Sequence, residues 1–191
     1  MKKLMDRVDA LVIGGGMAYT FLSAQGISIG KSLLEKDKVV EAQAIVEKAY
    51  SKKVQCLLPA DHVATREIKP NAEIVITQAM AIPPDLIGVD IGPHSVEFFL
   101  EEIAKAKTIF WNGPMGIFEI EAFSKGSVAI AKAMAEATKR GAITIVGGGD
   151  SLAVLAMAKL EDGMTHCSTG GGASLELLEG KLLPGLAALA S

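Results

Sequence analysis

Residues 144–153 read Thr-Ile-Val-Gly-Gly-Gly-Asp-Ser-Leu-Ala and carry the pattern that decides the fold. The β-branched run before the glycines predicts a buried strand, and the residues after them predict a helix. Three glycines allow a tight turn and let a large group approach the backbone. The free N–H groups at the start of the helix favour an anion. The stretch therefore predicts a strand, a glycine turn and a helix with an anion site between them.

Asp150 is the unexpected residue of this turn, because an acid beside an anion site repels the anion. A divalent cation removes the conflict, since Mg²⁺ is commonly held by one or two carboxylates together with substrate phosphates. We therefore interpret the stretch as a site for a Mg-nucleotide, formed by Gly147, Gly148, Gly149, Asp150 and Ser151. The alternative is that Asp150 only caps the helix that follows the turn.

The composition of the 191-residue chain restricts its class. Half of the residues are hydrophobic and only 5% are aromatic, which suits a parallel sheet buried under helices. The net charge of −3 comes from acids and bases mixed along the chain, so we expect no nucleic-acid partner. No apolar run approaches the ~20 residues that cross a bilayer, so we expect no membrane segment.

The two cysteines predict the cellular compartment. Cys56 and Cys167 are isolated and far apart in sequence, each inside an apolar run that is typical of a strand. Buried free thiols in a reducing, cytoplasmic environment explain this pattern, and a disulfide or a metal pair is the less favoured alternative.

Two further glycine corners flank the first one in sequence. Residues 10–16, Ala-Leu-Val-Ile-Gly-Gly-Gly, lead into an apolar helix without an acid or hydroxyl at its start. That corner admits a flat apolar group such as a purine ring as readily as a phosphate. Residues 164–174, Met-Thr-His-Cys-Ser-Thr-Gly-Gly-Gly-Ala-Ser, offer hydroxyls and no acid. The last corner therefore suits a bare anion, such as a phosphoryl group during its transfer.

A polar turn follows another buried strand. Residues 108–112, Thr-Ile-Phe-Trp-Asn, end in an amide, and Glu119 closes the turn after them. Open α/β sheets bind ligands at the carboxyl ends of their strands. The Asn112 amide can donate to a phosphate oxygen, and the Glu119 carboxylate can accept from ribose hydroxyls. The alternative role of Asn112 is to satisfy the backbone of the turn.

Other polar residues carry weaker signals. Asp61 and His62 come just after a predicted strand at residues 54–58, and we interpret them as solvated loop charge, with a supporting acid near the site as the alternative. His94 lies in the first turn of a predicted helix that begins at Pro93, and we expect it at the surface.

The order of elements predicts the architecture. Strand, glycine turn and helix recur along the chain, with no tandem repeat and no low-complexity linker. Right-handed units of this kind give an α/β, three-layer Rossmann-like domain with a mainly parallel sheet and helices on both faces. The marked residues then meet at the carboxyl edge of the sheet in one crevice.

A dinucleotide-dependent oxidoreductase is the main competing hypothesis. Its Gly-x-Gly-x-x-Gly pattern requires a small third residue, which in the three corners falls at Tyr19, Leu152 and Leu175. None of these is Gly or Ala, so the pattern is absent. A non-catalytic binding module needs only one anion corner. A phosphotransferase that binds a Mg-nucleotide accounts for more of the sequence than either alternative.

Five blocks of sequence together resemble the nucleotide-binding half of the phosphoglycerate kinase family, at residues 11–21, 88–93, 111–119, 147–151 and 168–181. They follow the order and spacing of that family over nearly the whole chain. The resemblance implies the C-terminal Rossmann-like domain and reversible phosphoryl transfer between ATP and the carboxylate of 3-phosphoglycerate, which gives 1,3-bisphosphoglycerate and ADP in glycolysis.

The same resemblance implies roles for individual residues. The adenine pocket is expected at Gly15, Gly16, Leu33 and Gly88. Ribose and phosphate contacts are expected at Asn112, Gly113, Pro114, Met115 and Glu119, with Glu119 on the ribose. Asp150 is expected to hold Mg²⁺ and Ser151 to contact the phosphates. The catalytic role, stabilisation of the phosphoryl group in flight, is expected of Gly170, Gly171 and Gly172.

Part of the family pattern is missing from the sequence. The half that binds 3-phosphoglycerate is absent, and so is a Gly-Gly-Ala-Lys-Val segment that forms the first strand of the nucleotide-binding domain. We therefore expect residues 1–191 to be a fragment that binds Mg-ATP or Mg-ADP but does not turn over alone. By resemblance, the full-length protein is expected to be a monomer and to bind 3-phosphoglycerate through its other domain.

Overall fold

A computed structural model describes residues 4–178 and residue 180 of the chain; the last residues of the block 168–181, Glu179 and Lys181, and the chain after them lie outside the described part. The helices of that part are α1 (Gly15–Ala24), α2 (Val39–Lys52), α3 (Pro93–Lys105), α4 (Lys125–Lys139), α5 (Gly149–Ala158) and α6 (Gly171–Leu178). The strands are β1 (Ala10–Val12), β2 (Gln55–Leu57), β3 (His62–Thr65), β4 (Ile74–Ile76), β5 (Ile87–Ile91), β6 (Thr108–Asn112), β7 (Ile143–Gly147) and β8 (His166–Ser168). Short 3₁₀ turns occupy Leu4–Asp6, Lys36–Lys38, Glu121–Phe123 and Glu161–Gly163.

The strands form three small sheets. Strands β1 and β2 are parallel, and β6, β7 and β8 form a parallel sheet in that order. Strands β4, β3 and β5 form an antiparallel sheet with β3 in the centre. Among the described residues, β1 pairs with β2 alone and β6 with β7 alone, so each has one unpaired edge.

Helices cover both faces of the parallel strands. Leu11 of β1 and Cys56 of β2 pack against a core that α1 and α2 build around Phe21 and Ile45. The next residues of the same strands, Val12 and Leu57, pack against a second core that belongs to α3, α4 and α5. Successive side chains of a strand point to opposite faces, so the two cores lie on opposite sides. This arrangement confirms the predicted α/β class with helices on both faces.

The structure differs from the sequence analysis in two respects around β3. The antiparallel sheet was not predicted. The interpretation of Asp61 and His62 as solvated loop charge is wrong. Asp61 is 5% exposed, and His62 begins the fully buried strand β3. Residues 66–73, which join β3 to β4, are too few for the crossover that a parallel pair needs, so the two strands form an antiparallel hairpin.

Asp61 is buried because it caps helix α3. Its carboxylate accepts the backbone N–H groups of His94, at 3.1 Å, and Ser95, at 2.7 Å, and it also accepts the Ser95 hydroxyl. The first N–H groups of a helix lack partners within the helix, and a negative charge there is stabilising. The N-cap residue itself, Gly92, offers no side chain, and a Cβ at that position would collide with the Asp61 carboxyl group.

His62 and His94 have opposite environments. The ring of His62 lies against Tyr19, with the ring centroids 5.6 Å apart, and its Nε2 lies 3.1 Å from the Met80 carbonyl oxygen. Burial lowers the pKa of His62, so this ring is neutral at pH 7. His94 is exposed at the start of α3, which confirms the expectation that it lies at the surface.

Both cysteines are free and half-buried, which confirms free thiols but places them less deeply than expected. Burial raises the pKa of Cys56 and of Cys167, so neither is an activated thiolate. None of the helices in the described part of the chain is long and apolar enough to cross a membrane.

Replacing Asp61 tests the cap of α3. We expect Asp61→Ala to lower the free energy of unfolding by about 2 to 3 kcal/mol, because buried donors of α3 lose their acceptor. His94→Ala is the matched control on the same helix turn; its side chain is 71% exposed, so the change stays within about 0.5 kcal/mol. Urea denaturation measures both, and equal effects of the two substitutions would contradict the cap.

Candidate functional site

The predicted site residues begin at the carboxyl edge of the β6, β7 and β8 sheet. In the strand register, Asn112 lies opposite Gly147, and Gly147 lies opposite Ser168. Because all three strands are parallel, the turns that follow them leave the sheet side by side. The sheet thus brings together the polar turn after β6 and two of the three glycine corners.

The turn after β7 opens helix α5. Gly148 is the N-cap with a φ of +91°, a conformation that glycine adopts readily, and Gly149 is the first helical residue. Asp150 lies in the first helical turn with an exposed side chain, so the alternative that it is the N-cap is wrong. Within the described residues its carboxylate has no hydrogen bond or ion pair.

Ser151 connects this corner to the turn after β6. Its side chain is fully buried, and its hydroxyl accepts the backbone N–H of Gly113 at 2.7 Å. Gly113 has a φ of +95°, so the chain reverses sharply there after Asn112. The Ser151 hydroxyl therefore fixes the direction of the turn that leads to Pro114 and Met115.

Asn112 lies between the two glycine corners. Its amide nitrogen is 3.3 Å from the carbonyl oxygen of Gly171, to which it donates. On the other side, a Cβ at Gly148 would lie 2.9 Å from Oδ1, the side-chain amide oxygen of Asn112. In this conformation the Asn112 side chain donates a hydrogen bond to the backbone of a glycine corner. This is the structural role that was the alternative to phosphate binding.

The last glycine corner packs directly on the corner before α5. A Cβ at Gly171 would lie 2.6 Å from both the Cα and the nitrogen of Gly148, a distance that real Cβ atoms do not show. Gly172, the next residue of α6, is exposed and faces open space. The carbonyl of Gly170 accepts the N–H and the hydroxyl of Ser174.

The corner after β1 approaches the same turn from the other parallel sheet. Gly15 has a φ of +61°, and a Cβ there would be 2.5 Å from the carbonyl oxygen of Pro114. A Cβ at Gly14 would collide with the sulfur of the buried Met115. The turn after β6 is therefore enclosed between the β1 corner and helix α5.

The remaining predicted residues near α1 are linked through Ser32. Its hydroxyl accepts the N–H of the buried Gly88 at 2.8 Å, and a Cβ at Gly88 would collide with the Tyr19 hydroxyl. The next residue, Leu33, is 65% exposed, and one of its methyl carbons lies 3.1 Å from where a Cβ of Gly16 would be. Leu33 and Gly16 thus present an apolar surface, while Gly88 lies behind it.

Glu119 is exposed on the loop after β6 and has no hydrogen bond or ion pair within the described residues. The loop that carries it is anchored to β5, because the N–H of Ile117 donates to the Val89 carbonyl at 2.8 Å. Glu119 therefore makes no hydrogen bond to the glycine corners, but the base of its loop is fixed to β5.

The positions of two cavities can be compared with the positions of the predicted site residues. A cavity of about 110 Å³ is lined by Asn112, Gly113, Gly148, Gly149, Asp150 and Ser151. It is small beside the several hundred Å³ of typical pockets for whole organic ligands, so it suits a phosphate group. A larger one, of about 590 Å³, is lined by residues 5–9 and 52–54 and contains no predicted site residue. The predicted site residues therefore coincide with the small cavity, which the first residues of α5 and the Asp150 carboxylate line.

The donor set limits what metal the site can hold. Among the described residues there is no group of three or more His, Cys, Asp or Glu side chains that could hold an ion. A lone exposed carboxylate beside a phosphate-sized cavity fits Mg²⁺, which keeps water ligands and shares the phosphates of its substrate.

Comparison with known proteins agrees with this geometry. The family model described as phosphoglycerate kinase matches residues 1–181. The chain belongs to the phosphoglycerate kinase family. It is 56% identical to the phosphoglycerate kinase of Elusimicrobium minutum and 52% identical to that of Chloroherpeton thalassium, and in both cases the match covers the whole chain and 48% of the relative. The chain therefore spans about half the length of these phosphoglycerate kinases.

Solved structures of the family share the fold. The phosphoglycerate kinase of Coxiella burnetii superposes with a TM-score of 0.89 at 47% identity, over 94% of this chain and 46% of that one. The enzyme of Pyrococcus horikoshii gives a TM-score of 0.83 at 32% identity, over 99% of this chain and 48% of that one. The predicted resemblance to the phosphoglycerate kinase family is thereby confirmed.

Substitutions at the neighbouring Gly171 and Gly172 test the contact between the glycine corners that follow β7 and β8. We expect Gly171→Ala to lower the free energy of unfolding by about 1 to 3 kcal/mol, because the new methyl group meets the backbone of Gly148. Gly172→Ala meets nothing and should leave stability unchanged or raise it by up to about 1 kcal/mol. Thermal unfolding of both variants is the measurement, and a Gly171→Ala protein as stable as the unmodified chain would contradict the contact.

Proposed function

We propose that residues 1–191 belong to the nucleotide-binding domain of a phosphoglycerate kinase. The reaction of the whole enzyme is reversible phosphoryl transfer between ATP and the carboxylate of 3-phosphoglycerate, giving 1,3-bisphosphoglycerate and ADP in glycolysis. The observation that carries the proposal is the meeting of Asn112, the Gly147–Gly148 turn and Gly171 at one sheet edge, with Asp150 exposed beside them. The half-buried free thiols support a cytoplasmic location.

The phosphates are proposed to bind at the N-terminus of α5. The N–H groups of Gly149, Asp150 and Ser151 have no partners within the helix, and all three residues line the small cavity. Because the Ser151 side chain is fully buried, with its hydroxyl accepting the N–H of Gly113, Ser151 is proposed to contribute its backbone N–H. Asn112 uses one amide N–H on Gly171 and has a second one for a phosphate oxygen.

Asp150 is the proposed Mg²⁺ ligand, together with the phosphates of the nucleotide. When bound, Mg²⁺ neutralises part of the phosphate charge. The Asp150 carboxylate is suited to binding a metal ion because it is exposed and forms no hydrogen bond or ion pair within the described part of the chain. Its position in the first turn of α5 also lets the helix stabilise its negative charge before the ion arrives.

The nucleoside is proposed to lie along the β1 corner. Leu33 and Gly16 offer an apolar surface for the adenine ring, with Gly15 beside them and Gly88 behind. The turn at Pro114 and Met115 packs against the same corner, so a nucleotide can extend from Leu33 to the cavity at α5. Glu119, exposed on the loop that follows, is the proposed partner of the ribose hydroxyls.

The transferred phosphoryl group is proposed to be stabilised by the N-terminus of α6. Gly170, Gly171 and Gly172 present backbone without side chains, and Gly171 touches the corner that receives the other phosphates. Phosphoryl transfer depends on positioning and on charge stabilisation rather than on a protein nucleophile. The site accordingly needs no activated side chain, and neither thiol is one.

Binding of ADP tests the proposal. In calorimetric titrations we expect the 191-residue chain to bind ADP saturably, to bind it more tightly with Mg²⁺, and not to bind NADH. Asp150→Asn should remove at least about tenfold of the Mg²⁺-dependent affinity, which is 1.4 kcal/mol. It should leave binding of metal-free ADP unchanged or tighter, because a negative charge near the phosphates is lost.

A second acid provides the control for this experiment. Asp162 is exposed on the 3₁₀ turn after α5 and does not line the cavity, so Asp162→Asn should bind Mg-ADP like the unmodified chain. Binding of NADH without binding of ADP would favour the dinucleotide oxidoreductase and refute the proposal. An Asp150→Asn variant that keeps the full effect of Mg²⁺ would refute the metal site alone.

Turnover should be undetectable for this chain by itself. The relatives are about twice as long, and in the proposed enzyme the second substrate is brought to the nucleotide by closure of another domain. A coupled assay with ATP and 3-phosphoglycerate measures this, with a full-length relative as the positive control. Turnover at the rate of the full-length relative would show that the chain carries both substrate sites.

A further inference from the structure

Asp90 is a buried carboxylate to which neither the sequence nor the proposed mechanism gives a role. It lies in strand β5 and is 1% exposed. Its two oxygens accept the N–H of Gly126, at 2.7 Å, and of its neighbour Ile91, at 2.9 Å. Gly126 is the second residue of α4, whose own N-cap, Ser124, makes no side-chain capping bond. Asp90 therefore caps α4 from a distant strand.

The same carboxylate lies against the loop that follows β6. A Cβ at Gly116 would be 2.6 Å from Asp90 Oδ1 and 2.6 Å from the Val89 carbonyl oxygen, so this glycine is enclosed by β5. The next residue, Ile117, donates its N–H to Val89 at 2.8 Å. On the other side of Gly116, the N–H of Met115 donates to the hydroxyl of Ser127 at 2.8 Å.

These contacts join three elements at one point. The loop is bound to α4 through Met115 and to β5 through Ile117, and Asp90 binds α4 to β5. If α4 moved away from β5, the two attachments of the loop would be pulled apart. The loop carries Pro114 and Met115 at one end and Glu119 at the other, which are proposed nucleotide contacts.

We propose that Asp90 is a positioning residue, whose carboxylate fixes the loop from Met115 to Glu119 for the nucleotide by holding α4 against β5. The inference rests on the proposed function, because the loop is assigned to the nucleotide there. Asp90 does not touch the cavity lined by Asn112 and Asp150, so its effect on binding is indirect.

The surroundings of Asp90 make its attachment of α4 to β5 dependent on pH. Burial raises the pKa of Asp90 to about 7, although the two N–H donors act in the opposite direction. Tyr19 on α1 is the titratable group that interacts with it, and Tyr19 stays neutral because burial raises its own pKa. On β3 the facing residue is the apolar Val63, and on the neighbouring loop and α4 the charged Glu121 and Lys125 are exposed to solvent.

The sign of the dependence follows from these groups. Above about pH 7 the carboxylate is ionised and accepts both N–H groups. Below about pH 7 one oxygen is protonated, and the attachment of α4 to β5 through Asp90 weakens. Affinity for Mg-ADP should therefore increase as the pH rises from 6 to 8. Stability changes in the opposite sense, because a folded-state pKa raised above 3.8 makes the folded protein lose stability as the pH rises towards 7.

The test compares the 191-residue chain with Asp90→Asn by calorimetric titration of Mg-ADP at pH 6, 7 and 8. We expect the unmodified chain to gain about fivefold in affinity over this range relative to Asp90→Asn, which lacks the titrating group. Protonation of ADP itself is the same for both proteins and cancels in the comparison. Equal affinities and equal pH profiles for the two proteins would overturn the inference.

Asp61→Asn is the matched control. Asp61 is also a buried carboxylate that caps a helix distant from it in sequence, but it serves α3 rather than the loop after β6. It should lose stability and keep the pH profile of the unmodified chain. If Asp61→Asn and Asp90→Asn change the profile alike, the effect is one of stability and the positioning role is refuted.

A measurement on the unmodified chain needs no substitution and no ligand. In amide NMR spectra between pH 5.5 and 8.5, the N–H signals of Gly126 and Ile91 should titrate with Asp90, and those of Met115 and Ile117 should shift with the same midpoint. If Met115 and Ile117 do not follow Gly126, Asp90 does not control the loop. This result is independent of ADP, so a chain that binds no ADP would refute the proposed function while the spectra still decide the role of Asp90.

Discussion

The contact between the backbones of Gly148 and Gly171 is the constraint on which the site depends. The two glycine corners approach so closely that a single methyl group at Gly171 has no room. This approach aligns the start of α5 with the start of α6, and the Asn112 amide bridges them by donating to Gly171. The N-terminus of α5 thus lines one small cavity, and the N-terminus of α6 packs beside it. Free N–H groups at the start of a helix favour an anion, as the proposed phosphate site requires.

The elements around this contact are held by buried carboxylates rather than by caps within each helix. Asp61 and Asp90 lie on or beside strands and accept N–H groups from α3 and α4, whose own N-cap residues make no side-chain capping bond. A buried carboxylate is unfavourable unless its oxygens are hydrogen-bonded, and here each accepts at least two donors. These contacts fix the positions of α3 and α4 against segments that are distant in sequence. One of these segments is β5, to which the loop that carries Glu119 is also bonded.

The serine side chains show how the site separates structural from binding roles. Ser151, Ser127 and Ser32 each accept a backbone N–H, of Gly113, Met115 and Gly88 in that order. Their hydroxyls are thereby used to shape the turns around the proposed nucleotide path. What remains exposed for a ligand is backbone, the carboxylates of Asp150 and Glu119, and the surface of Leu33. A site of this kind gains its selectivity from geometry more than from reactive groups.

The sequence by itself determined the α/β class, the strand and glycine turn before α5, and the position of the polar residues at the strand ends. These follow from local patterns, because β-branched runs, glycines and helix periodicity act over a few residues. Only the tertiary structure decided that Asp61 and His62 are buried, that β3 to β5 are antiparallel, and that Asp90 links β5 to α4. Each of these depends on partners that lie tens of residues away in the chain, such as Ser95 for Asp61 and Gly126 for Asp90, and a local pattern carries no record of such partners.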